Sequence, residues 1–271
     1  MSDTMQKFNE LVRLIASFKG VAVAFSGGVD SSLLLYAAKE ALRDEVIAFI
    51  GVSPMLSRWE LEEARMVASA IGTELVEVDC DVLELEAVSA NAPDRCYHCK
   101  RMILTTIGRL ASQRGLGQVL DGTNADDALT GRPGLRATIE SGTRSPLAEV
   151  GMTKAEVREL AQLFGLPSAD RPSSACLASR IPFGVRLTPG KLAQVERAED
   201  ALRALGIGQL RVRHHDNIAR LEVGLLDIGK VLLHREEIVR DLKEIGFTYV
   251  TLDLEGFRSG SMEEALPVPR D

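Results

Sequence analysis

Short apolar runs alternate with amphipathic segments through the first part of the chain. The segments with helical periodicity lie at 4–18, 30–42, 57–71, 81–89 and 100–114. The apolar runs between them have the length and composition of buried parallel strands, and they are VAVAF (21–25), EVIAFIGV (45–52), TELVEV (73–78) and QVLDG (118–122). Strands that alternate with helices form parallel sheets, so this pattern predicts an α/β domain.

The pattern becomes less regular after the fourth apolar run. Residues 123–146 have the composition of polar loops, and the stretch 166–187 shows no period. Between them a helix is predicted over 153–165, where Thr153 and Glu156 have the spacing of a capping box. An irregular stretch as long as the second one is more often functional than accidental in a compact protein.

A second regular pattern of helices and strands begins at Thr188. A helix, two strands, a helix and a strand are predicted at 189–205, 209–214, 218–223, 227–245 and 247–254. The segment HHDN (214–217) is predicted to connect the two adjacent strands as a hairpin. The order αββαβ indicates a second, smaller α+β domain, so we divide the chain into residues 1–187 and 188–271.

Composition and charge narrow the functional class. Apolar residues make up 45% of the 271 residues and charged residues 26%, as in soluble folded proteins. With 32 basic and 39 acidic residues the net charge is -7, which does not favour binding to nucleic acid or to an anionic membrane. No apolar run approaches the ~18 residues that cross a bilayer, and the N-terminus lacks the pattern of a signal peptide. We therefore expect a cytoplasmic protein without nucleic-acid or membrane partners.

The segment SGGVDSS follows the first predicted strand and opens a predicted helix. Backbone N–H groups and the helix dipole make such a turn an anion-binding site, and serine hydroxyls add donors for phosphate oxygens. A carboxylate in this place repels phosphate unless a divalent cation lies between them, so Asp30 indicates Mg²⁺. The motif does not contain the lysine of GxxxxGK[ST]. The candidate nucleotide-binding residues of the turn are Ser26, Gly27, Gly28, Asp30, Ser31 and Ser32.

This turn resembles the PP-loop of the adenine-nucleotide α-hydrolases, which holds the pyrophosphate of ATP while an acceptor attacks the α-phosphorus. The resemblance implies a Rossmann-like PP-loop ATP pyrophosphatase fold for the first domain. It also implies that Ser53, at the end of the second strand, meets the adenosine. The segment GTNADD, at the end of the fourth strand, would face the nucleotide through Gly122, Thr123 and Asn124.

The same segment offers a second carboxylate for magnesium. Asp126 or Asp127 is expected to share Mg²⁺ with Asp30, and Asp126 is taken as the ligand. Either carboxylate could instead cap the helix that follows.

Three of the four cysteines stand in chemically informative positions. Cys96 and Cys99 form the two-residue gap of RCYHCK, from which both sulfurs can reach one metal, and Cys176 lies in the irregular stretch. Three thiolates suit a [4Fe–4S] cluster with one iron left for a non-protein sulfur, whereas a zinc site would need His98 as a fourth ligand. A packed or redox-active cysteine pair is the plainer interpretation. Cys80, at the end of a strand, is expected in the core.

Five segments together resemble the LarE family, the ATP-dependent pyridinium-3,5-biscarboxylic acid mononucleotide sulfurtransferases of nickel-pincer cofactor biosynthesis. The segments are SGGVDSS, RCYHCK, GTNADD, RPSSACLASRIPFG and GFRSGSM, and the likeness runs almost from end to end. It implies that the carboxylates of a mononucleotide substrate are adenylylated by ATP and converted to thiocarboxylates. In the best-known form of the family, the cysteine that matches Cys176 gives up its own sulfur and becomes dehydroalanine.

Cys96 and Cys99 match the additional cysteines of family members that resemble cluster-binding enzymes. The resemblance then implies that Cys96, Cys99 and Cys176 hold a [4Fe–4S] cluster that carries a further sulfide, supplied by an external donor. Cys176 would survive turnover in that case. Sacrifice of Cys176 is the alternative.

Arginines supply further candidate site residues. Arg211 and Arg213 alternate on the predicted strand QLRVRHH, so both lie on one face, where two guanidinium groups suit the phosphate of a mononucleotide. A solvated strand edge is the plainer interpretation. Arg180 and Arg171 flank Cys176, where a cation favours thiolate. Arg180 is expected to act in catalysis by offsetting the charge that develops during transfer.

Four other polar residues have weaker signals. Glu199 and Glu222 resemble family positions associated with a metal or substrate site at a subunit interface, and we expect a homo-oligomer. His214 and His215 are most simply turn residues.

Three other classes of function share parts of this pattern. A tRNA thiolase also couples a PP-loop to cysteines, but it needs a basic face that the net charge of -7 disfavours. An amidotransferring synthetase needs a source of ammonia, and its reaction does not require a CxxC pair. A nucleotide sensor binds ATP without forming pyrophosphate.

Overall fold

The chain folds into two compact units. A computed structural model describes residues 3–130, 133–171, 175–258 and 261. The first unit comprises Met1–Val82 and Asp94–Ser174, and the second comprises Leu83–Pro93 and Ala175–Asp271. The strands run, in chain order, β1 (Val21–Ala24), β2 (Val46–Val52), β3 (Glu74–Asp79), β4 (Gln118–Asp121), β5 (Leu210–His215), β6 (Ile218–Val223) and β7 (Tyr249–Leu252).

Helices surround these strands in both units. No helix of the described ranges is long and apolar enough to span a membrane. The helices are α1 (Asp3–Ala16), α2 (Val29–Leu42), α3 (Arg58–Ile71), α4 (Glu86–Ser89), α5 (Arg95–Gln113), α6 (Ala125–Ala128), α7 (Pro133–Glu140), α8 (Pro146–Glu149), α9 (Lys154–Leu163), α10 (Pro189–Ala204), α11 (Ile228–Leu233) and α12 (Arg235–Ile245).

The first unit is built on a parallel sheet with the strand order β3-β2-β1-β4, which confirms the predicted α/β class. Its central strand β1 is apolar because both faces are covered, and Val21, Ala22 and Val23 have no exposed surface. Ala24 pairs with Phe49 on one side and with Asp121 on the other. The carboxyl ends of β1 and β4 therefore lie side by side, and the loops that follow them meet at one edge of the sheet.

The second unit contains the sheet β5-β6-β7, in which β5 and β6 are antiparallel and β6 and β7 are parallel. As predicted, the end of HHDN forms the hairpin turn, with Asp216 at a φ of 52°. Leu202, Val212, Leu221 and Leu242 form part of the apolar core of this unit.

The division of the chain differs from the predicted boundary between residues 187 and 188. The side chain of Asn91 donates to the carbonyl oxygens of Ile181 (3.2 Å) and Pro182 (2.8 Å), and the backbone N–H of Leu187 donates to the carbonyl oxygen of Ser89 (2.8 Å). These long-range hydrogen bonds join 83–93 to 175–187. Arg180 and Ser179 in turn bond to Glu199 and Arg213, so both segments belong to the second unit. Nothing in the hydrophobic pattern indicates these contacts.

Three predicted elements differ from those observed. α5 begins at Arg95 rather than near residue 100, so the cysteine pair lies on the helix. The predicted polar loop over 123–146 contains α6 and α7, and α8 begins at its last residue. The helix predicted over 227–245 is interrupted at His234, between α11 and α12. The capping box before α9 is present, because Thr153 accepts from the backbone N–H of Glu156 and the Glu156 carboxylate bonds back to Thr153.

Candidate active site

The predicted phosphate loop connects β1 to α2. Ser31 Oγ and Ser32 Oγ donate to the carbonyl oxygen of Gly28 at 3.1 and 2.8 Å, and the Oγ atoms of Ser26 and Ser31 lie 3.2 Å apart. Gly28 is the N-cap of α2, and no described side chain caps this helix end. The loop therefore brings the hydroxyls of Ser26 and Ser31 to the positive end of a 14-residue helix, which is an arrangement that binds phosphate. Ser32, also predicted to bind the nucleotide, has no exposed surface.

Two glycines of the site are required by close packing. Gly27 has a φ of +73°, and a Cβ atom there would lie 3.0 Å from the Cα and Cβ atoms of Ala64 on α3. A Cβ atom on Gly122 would lie 2.8 Å from the backbone nitrogen of Ser31, because the loop after β4 touches the phosphate loop. Around Gly28 the nearest atom to such a Cβ is Ser26 Oγ at 3.4 Å, so space beside this residue is open.

A cavity of about 340 Å³ opens between the loops that follow β1 and β4. Its wall combines serine and threonine hydroxyls, three carboxylates, one ammonium group and a few apolar atoms. The lining residues are Ala24, Ser26, Asp30, Ser31, Lys100, Asp121, Gly122, Thr123, Asp127 and Leu135.

Asp30 is the centre of a polar network at this cavity. Asn124 Nδ2 donates to Asp30 Oδ1 (3.0 Å) and to Asp127 Oδ2 (2.8 Å), so one buried amide holds two carboxylates. The other oxygen of Asp30 pairs with Lys154 Nζ. Asp126, which was predicted to bind magnesium, is exposed and accepts from the backbone N–H of Lys154 at 2.7 Å. Of the two acidic neighbours, the structure thus places Asp127 on the cavity wall.

Asp121, at the end of β4, is a buried carboxylate that sequence reasoning missed. It accepts from Lys100 Nζ (2.7 Å) and from the hydroxyls of Ser145 (2.6 Å), Thr123 (2.9 Å) and Thr138 (3.0 Å). Burial alone would raise the pKa of Asp121, but the Lys100 ammonium and these donors outweigh it and hold the pKa below its ordinary value. The carboxylate is therefore ionised, and it fixes Lys100 at the cavity.

Ser53 follows β2 and lies next to the sheet edge, as predicted. Its hydroxyl accepts from the backbone N–H of Met55 at 3.3 Å. The cavity wall described above does not include Ser53, so its contact with adenosine stays a prediction.

The cysteines fall in both units, and none of them forms a disulfide. Cys96 and Cys99 lie in the first unit, three positions apart on α5 and hence on one face of it. Cys96 is exposed and Cys99 half-buried, whereas Cys80 is buried as predicted. His98, between the pair in sequence, bonds to Asp94 at 3.1 Å.

Cys176 lies in the second unit, is exposed, and precedes a short 3-10 turn at Leu177–Arg180. Arg180 Nη1 donates to the carbonyl oxygens of Ala175 and Cys176 and to Ser179 Oγ. Glu199 accepts from Nε and Nη2 of the same guanidinium at 2.8 and 3.0 Å.

These contacts give Arg180 a structural role. Its side chain is 3% exposed and that of Glu199 is 0% exposed, so the pair is buried. Burial alone would raise the pKa of Glu199, but Arg180 and the neighbouring arginines outweigh it and lower the pKa. Arg180 therefore holds the backbone on both sides of Cys176, and its catalytic role stays a prediction.

Arg211 and Arg213 share one face of β5, as predicted. Arg213 is buried, and it donates to Glu222 (2.6 Å), to the carbonyl oxygen of Ser179 (3.0 Å) and to Ser261 Oγ (2.8 Å). Arg211 is half-buried, with its guanidinium 5.2 Å from the ring centroid of Phe257.

Of the two arginines predicted to bind phosphate, Arg213 is therefore buried in the structure and Arg211 is partly accessible to solvent. Glu222 is engaged by Arg213 and Arg220, which accounts for its burial without a metal. His214 and His215 lie within β5 rather than in the turn, and His214 is buried against Phe247 with Nε2 3.1 Å from Gln194 Oε1.

Comparison with known proteins assigns the family. Residues 7–221 match the asparagine synthase family, in keeping with the phosphate loop and the parallel sheet. The chain is 39% identical, over 98% of its own length and 97% of the relative's, to the pyridinium-3,5-bisthiocarboxylic acid mononucleotide synthase of Lactiplantibacillus plantarum. The chain belongs to the LarE family. The chain is also 41% identical to an uncharacterized protein of Synechocystis, with 98% of this chain and 97% of that protein covered. It is 32% identical to an uncharacterized protein of Methanocaldococcus jannaschii, with 89% of this chain and 92% of that protein covered.

Membership of the LarE family does not by itself say whether the sulfur comes from a cluster or from Cys176. The described ranges contain no group of three or more His, Cys, Asp or Glu side chains that could hold a metal ion. Residues 172–174, 259, 260 and 262 of the motifs RPSSACLASRIPFG and GFRSGSM lie outside the described residues. The cluster predicted on Cys96, Cys99 and Cys176 therefore stays a prediction.

Sequence reasoning missed Lys100, Lys154 and Asp121 at the candidate active site of this LarE family member. Lys100 was visible as the last residue of RCYHCK, and Lys154 as the first helical residue after the N-cap Thr153. Neither signal indicates that the two ammonium groups reach the carboxylates Asp121 and Asp30.

Proposed function

We propose that the chain uses ATP to convert the carboxylates of pyridinium-3,5-biscarboxylic acid mononucleotide into thiocarboxylates. The observation that carries this proposal is the serine-lined loop at the N-terminus of α2, which opens onto a cavity walled by carboxylates and Lys100. The Lactiplantibacillus relative, whose name denotes synthesis of the bisthiocarboxylic acid mononucleotide, supports the choice of substrate.

The first step activates a carboxylate. A substrate carboxylate oxygen attacks the α-phosphorus of ATP, the bond from that phosphorus to the bridging oxygen breaks, and pyrophosphate leaves. The product is a mixed anhydride of the substrate and AMP. Activation is needed because a carboxylate is a poor electrophile with a poor leaving group, whereas AMP leaves readily.

Side chains of the first unit would perform this step. The hydroxyls of Ser26 and Ser31 and the N-terminus of α2 would bind the pyrophosphate portion of ATP, and the buried Ser32 would support the turn through Gly28. Lys100 and Lys154 would lie near the developing negative charge and stabilise it.

Magnesium is implied by the family, and the residues at the cavity fit it. Asp30 and Asp127 supply carboxylate oxygens, which are the ligands Mg²⁺ prefers, and Asn124 holds the two side chains together. These two carboxylates would hold the ion, and the ion would neutralise charge on the phosphates.

The second step transfers sulfur. A sulfur nucleophile attacks the acyl carbon of the adenylate, the bond from that carbon to the AMP oxygen breaks, and AMP leaves. Each carboxylate needs its own molecule of ATP. Of the two arginines on β5, Arg211 is the one that would bind the substrate phosphate, because its side chain is half-buried whereas Arg213 is buried among Glu222, Ser179 and Ser261.

We propose Cys96, Cys99 and Cys176 as ligands of a [4Fe–4S] cluster. Their donor chemistry suits it, since all three thiols are at least partly exposed and outside disulfides. Such a cluster, when bound, would supply an additional sulfide on the iron that has no protein ligand. The alternative route uses the sulfur of Cys176 itself: its thiolate forms a thioester with loss of AMP, a base then removes the Cα proton, and the Cβ–S bond breaks. That route leaves dehydroalanine at position 176 and the thiocarboxylate on the substrate.

The function is tested by incubating anaerobically purified protein with ATP labelled in the α-phosphate, Mg²⁺, sulfide and the pyridinium biscarboxylate. We expect labelled AMP, pyrophosphate and thiocarboxylate to form in equal amounts, and only with the acceptor present. Release of ADP, or of pyrophosphate at the same rate without acceptor, would contradict the proposal.

The source of the sulfur is tested on the same preparation. Iron and acid-labile sulfide in a ratio near one, with the mass of the Cys176 peptide unchanged by turnover, would support the cluster. Loss of the elements of H₂S from that peptide, in step with product, would support the sacrificed cysteine.

A further inference from the structure

Arg171 joins the chain ahead of Cys176 to the phosphate loop. Its Nη1 donates to the carbonyl oxygen of Gly27 at 3.3 Å. Its Nη2 lies 2.5 Å from the Glu63 carboxylate, and its guanidinium carbon lies 5.1 Å from the ring centroid of Trp59. Glu63 and Trp59 both belong to α3, so this helix holds the guanidinium from two sides while the carbonyl oxygen of Gly27 accepts its N–H.

The contact fixes a peptide group of the candidate ATP site. Because the peptide bond is planar and trans, the orientation of the Gly27 carbonyl also sets the orientation of the Gly28 N–H. Gly28 is the N-cap of α2, at the turn where the phosphate would bind. Gly27 itself is confined by Ala64 on α3, 3.0 Å from the position of a Cβ atom. Arg171 and α3 therefore define how this peptide is presented.

The backbone at Arg171 is held independently of its side chain. Arg158, on α9, donates to the carbonyl oxygens of Ala169 (3.1 Å) and Arg171 (3.2 Å). The N–H of Arg171 donates to the carbonyl oxygen of Ser168 at 3.2 Å. Substitution of Arg158 would therefore loosen the same segment without removing a contact to the phosphate loop, which makes it a matched control.

We propose that Arg171 is a positioning residue for the nucleotide, holding the Gly27–Gly28 peptide in the orientation in which the loop binds the phosphates of ATP. This inference rests on the proposed function only in taking the loop as the ATP site. An ammonium group cannot donate to Gly27, pair with Glu63 and stack on Trp59 in the fork geometry of a guanidinium, so lysine is a partial substitute.

Binding of a non-hydrolysable ATP analogue with Mg²⁺, measured by calorimetry, tests the proposal on the full chain. For R171Q we expect the dissociation constant to rise about tenfold, which corresponds to about 1.4 kcal/mol. R171K should fall between R171Q and the wild type. R158Q should bind the analogue as the wild type does, although its melting temperature falls.

The kinetics of acceptor-dependent pyrophosphate release give a second readout. The KM for ATP should rise in R171Q by more than kcat falls, because the residue acts on binding of the phosphates. Equal binding by R171Q and the wild type, or equal losses in R171Q and R158Q, would overturn the assignment alone. Failure of the wild type to bind the analogue would overturn the proposed function and the assignment together.

Discussion

The two units use similar charged residues in opposite ways. At the cavity of the first unit, the side chains of Lys154 and Asp30 are 33% and 21% exposed, and Lys100 lies within reach of solvent. In the second unit, the side chains of Arg180 and Arg213 pair with Glu199 and Glu222, which have no exposed surface. Accessible pairs can exchange partners with an incoming ligand, whereas buried pairs fix the backbone around them.

Desolvation explains the difference. A charge near the surface gives up a partner at small cost because water replaces it, and such pairs contribute at most about 1 kcal/mol to stability. Removing one member of a buried pair leaves the other uncompensated and costs about 3 to 5 kcal/mol. The lesson is that the arginines of the second unit, which look like substrate ligands in the sequence, are largely committed to structure.

Cys176→Ala is expected to distinguish the roles of the two units most strongly. Thiolation should fall at least about 1,000-fold, because the variant loses a cluster ligand in the proposed route and the sulfur donor in the alternative route. Pyrophosphate release should remain, since activation uses the side chains of the first unit. Both products are measured in one reaction with labelled ATP. Cys80→Ala, at a buried thiol outside the site, is the control, and full thiolation by the Cys176 variant would refute the assignment.

Substitution of one carboxylate in each unit should have opposite effects: the variant in the second unit should lose mainly stability, and the variant in the first unit should lose mainly activity. Glu199→Ala should lower the free energy of unfolding by about 3 to 5 kcal/mol, because Arg180 and Arg203 lose a buried partner. Asp30→Asn should change it by less than about 1 kcal/mol but slow pyrophosphate release about 100-fold.

Urea denaturation and the release assay measure the two effects. A stable Glu199→Ala protein, or an unstable but fully active Asp30→Asn protein, would break the proposed contrast between the units.

A finer test separates the two acidic neighbours in the loop after β4. Asp127→Asn should weaken Mg²⁺ binding by at least about tenfold, because Asp127 lies on the cavity wall beside Asp30. Asp126→Asn should leave it unchanged, because the side chain is exposed and bonds to the backbone of Lys154. Titration of pyrophosphate release with Mg²⁺ reports both, and the reverse order would restore Asp126 as the ligand.

The smallest expected effect is a difference between the two units in how their stability depends on acid pH. Burial, with a contribution from Lys191, lowers the pKa of His214 from its ordinary 6.5, so the folded chain holds it neutral. The unfolded chain takes up a proton as the pH falls below about 6.5, so the stability from this group is present above that pH and is lost below it. Asp121 also has a lowered pKa, but as a carboxylate it loses its contribution only below about pH 4.

Hydrogen exchange resolves the two units. Between about pH 7 and about pH 5.5, protection of β5 and β6 should fall, while that of β1 and β2 changes little. His214→Asn should reduce that slope, and His215 accounts for the part that remains because burial lowers its pKa as well. An equal fall in both sheets would contradict the assignment.

The sequence predicted best the elements that depend on local pattern. Apolar runs marked all four strands of the parallel sheet, since strands covered on both faces need such runs. The capping box at Thr153 and Glu156 placed the start of α9 correctly. The short helices after β4 were missed because contacts distant in sequence hold them, such as the hydrogen bonds from Thr138 and Ser145 to Asp121.

By itself, then, the sequence determined the α/β sheet, the phosphate loop after β1 and the residues that mark the LarE family, because each depends on spacing between near neighbours. Only the tertiary structure decided which charged groups are available to a ligand. Arg180 and Arg213 are buried in pairs with Glu199 and Glu222. Lys100 lines the cavity, and Lys154 pairs with Asp30 at its wall, each from a helix distant in sequence. Burial and pairing depend on which side chains the fold brings together, and no local pattern of residues contains that information.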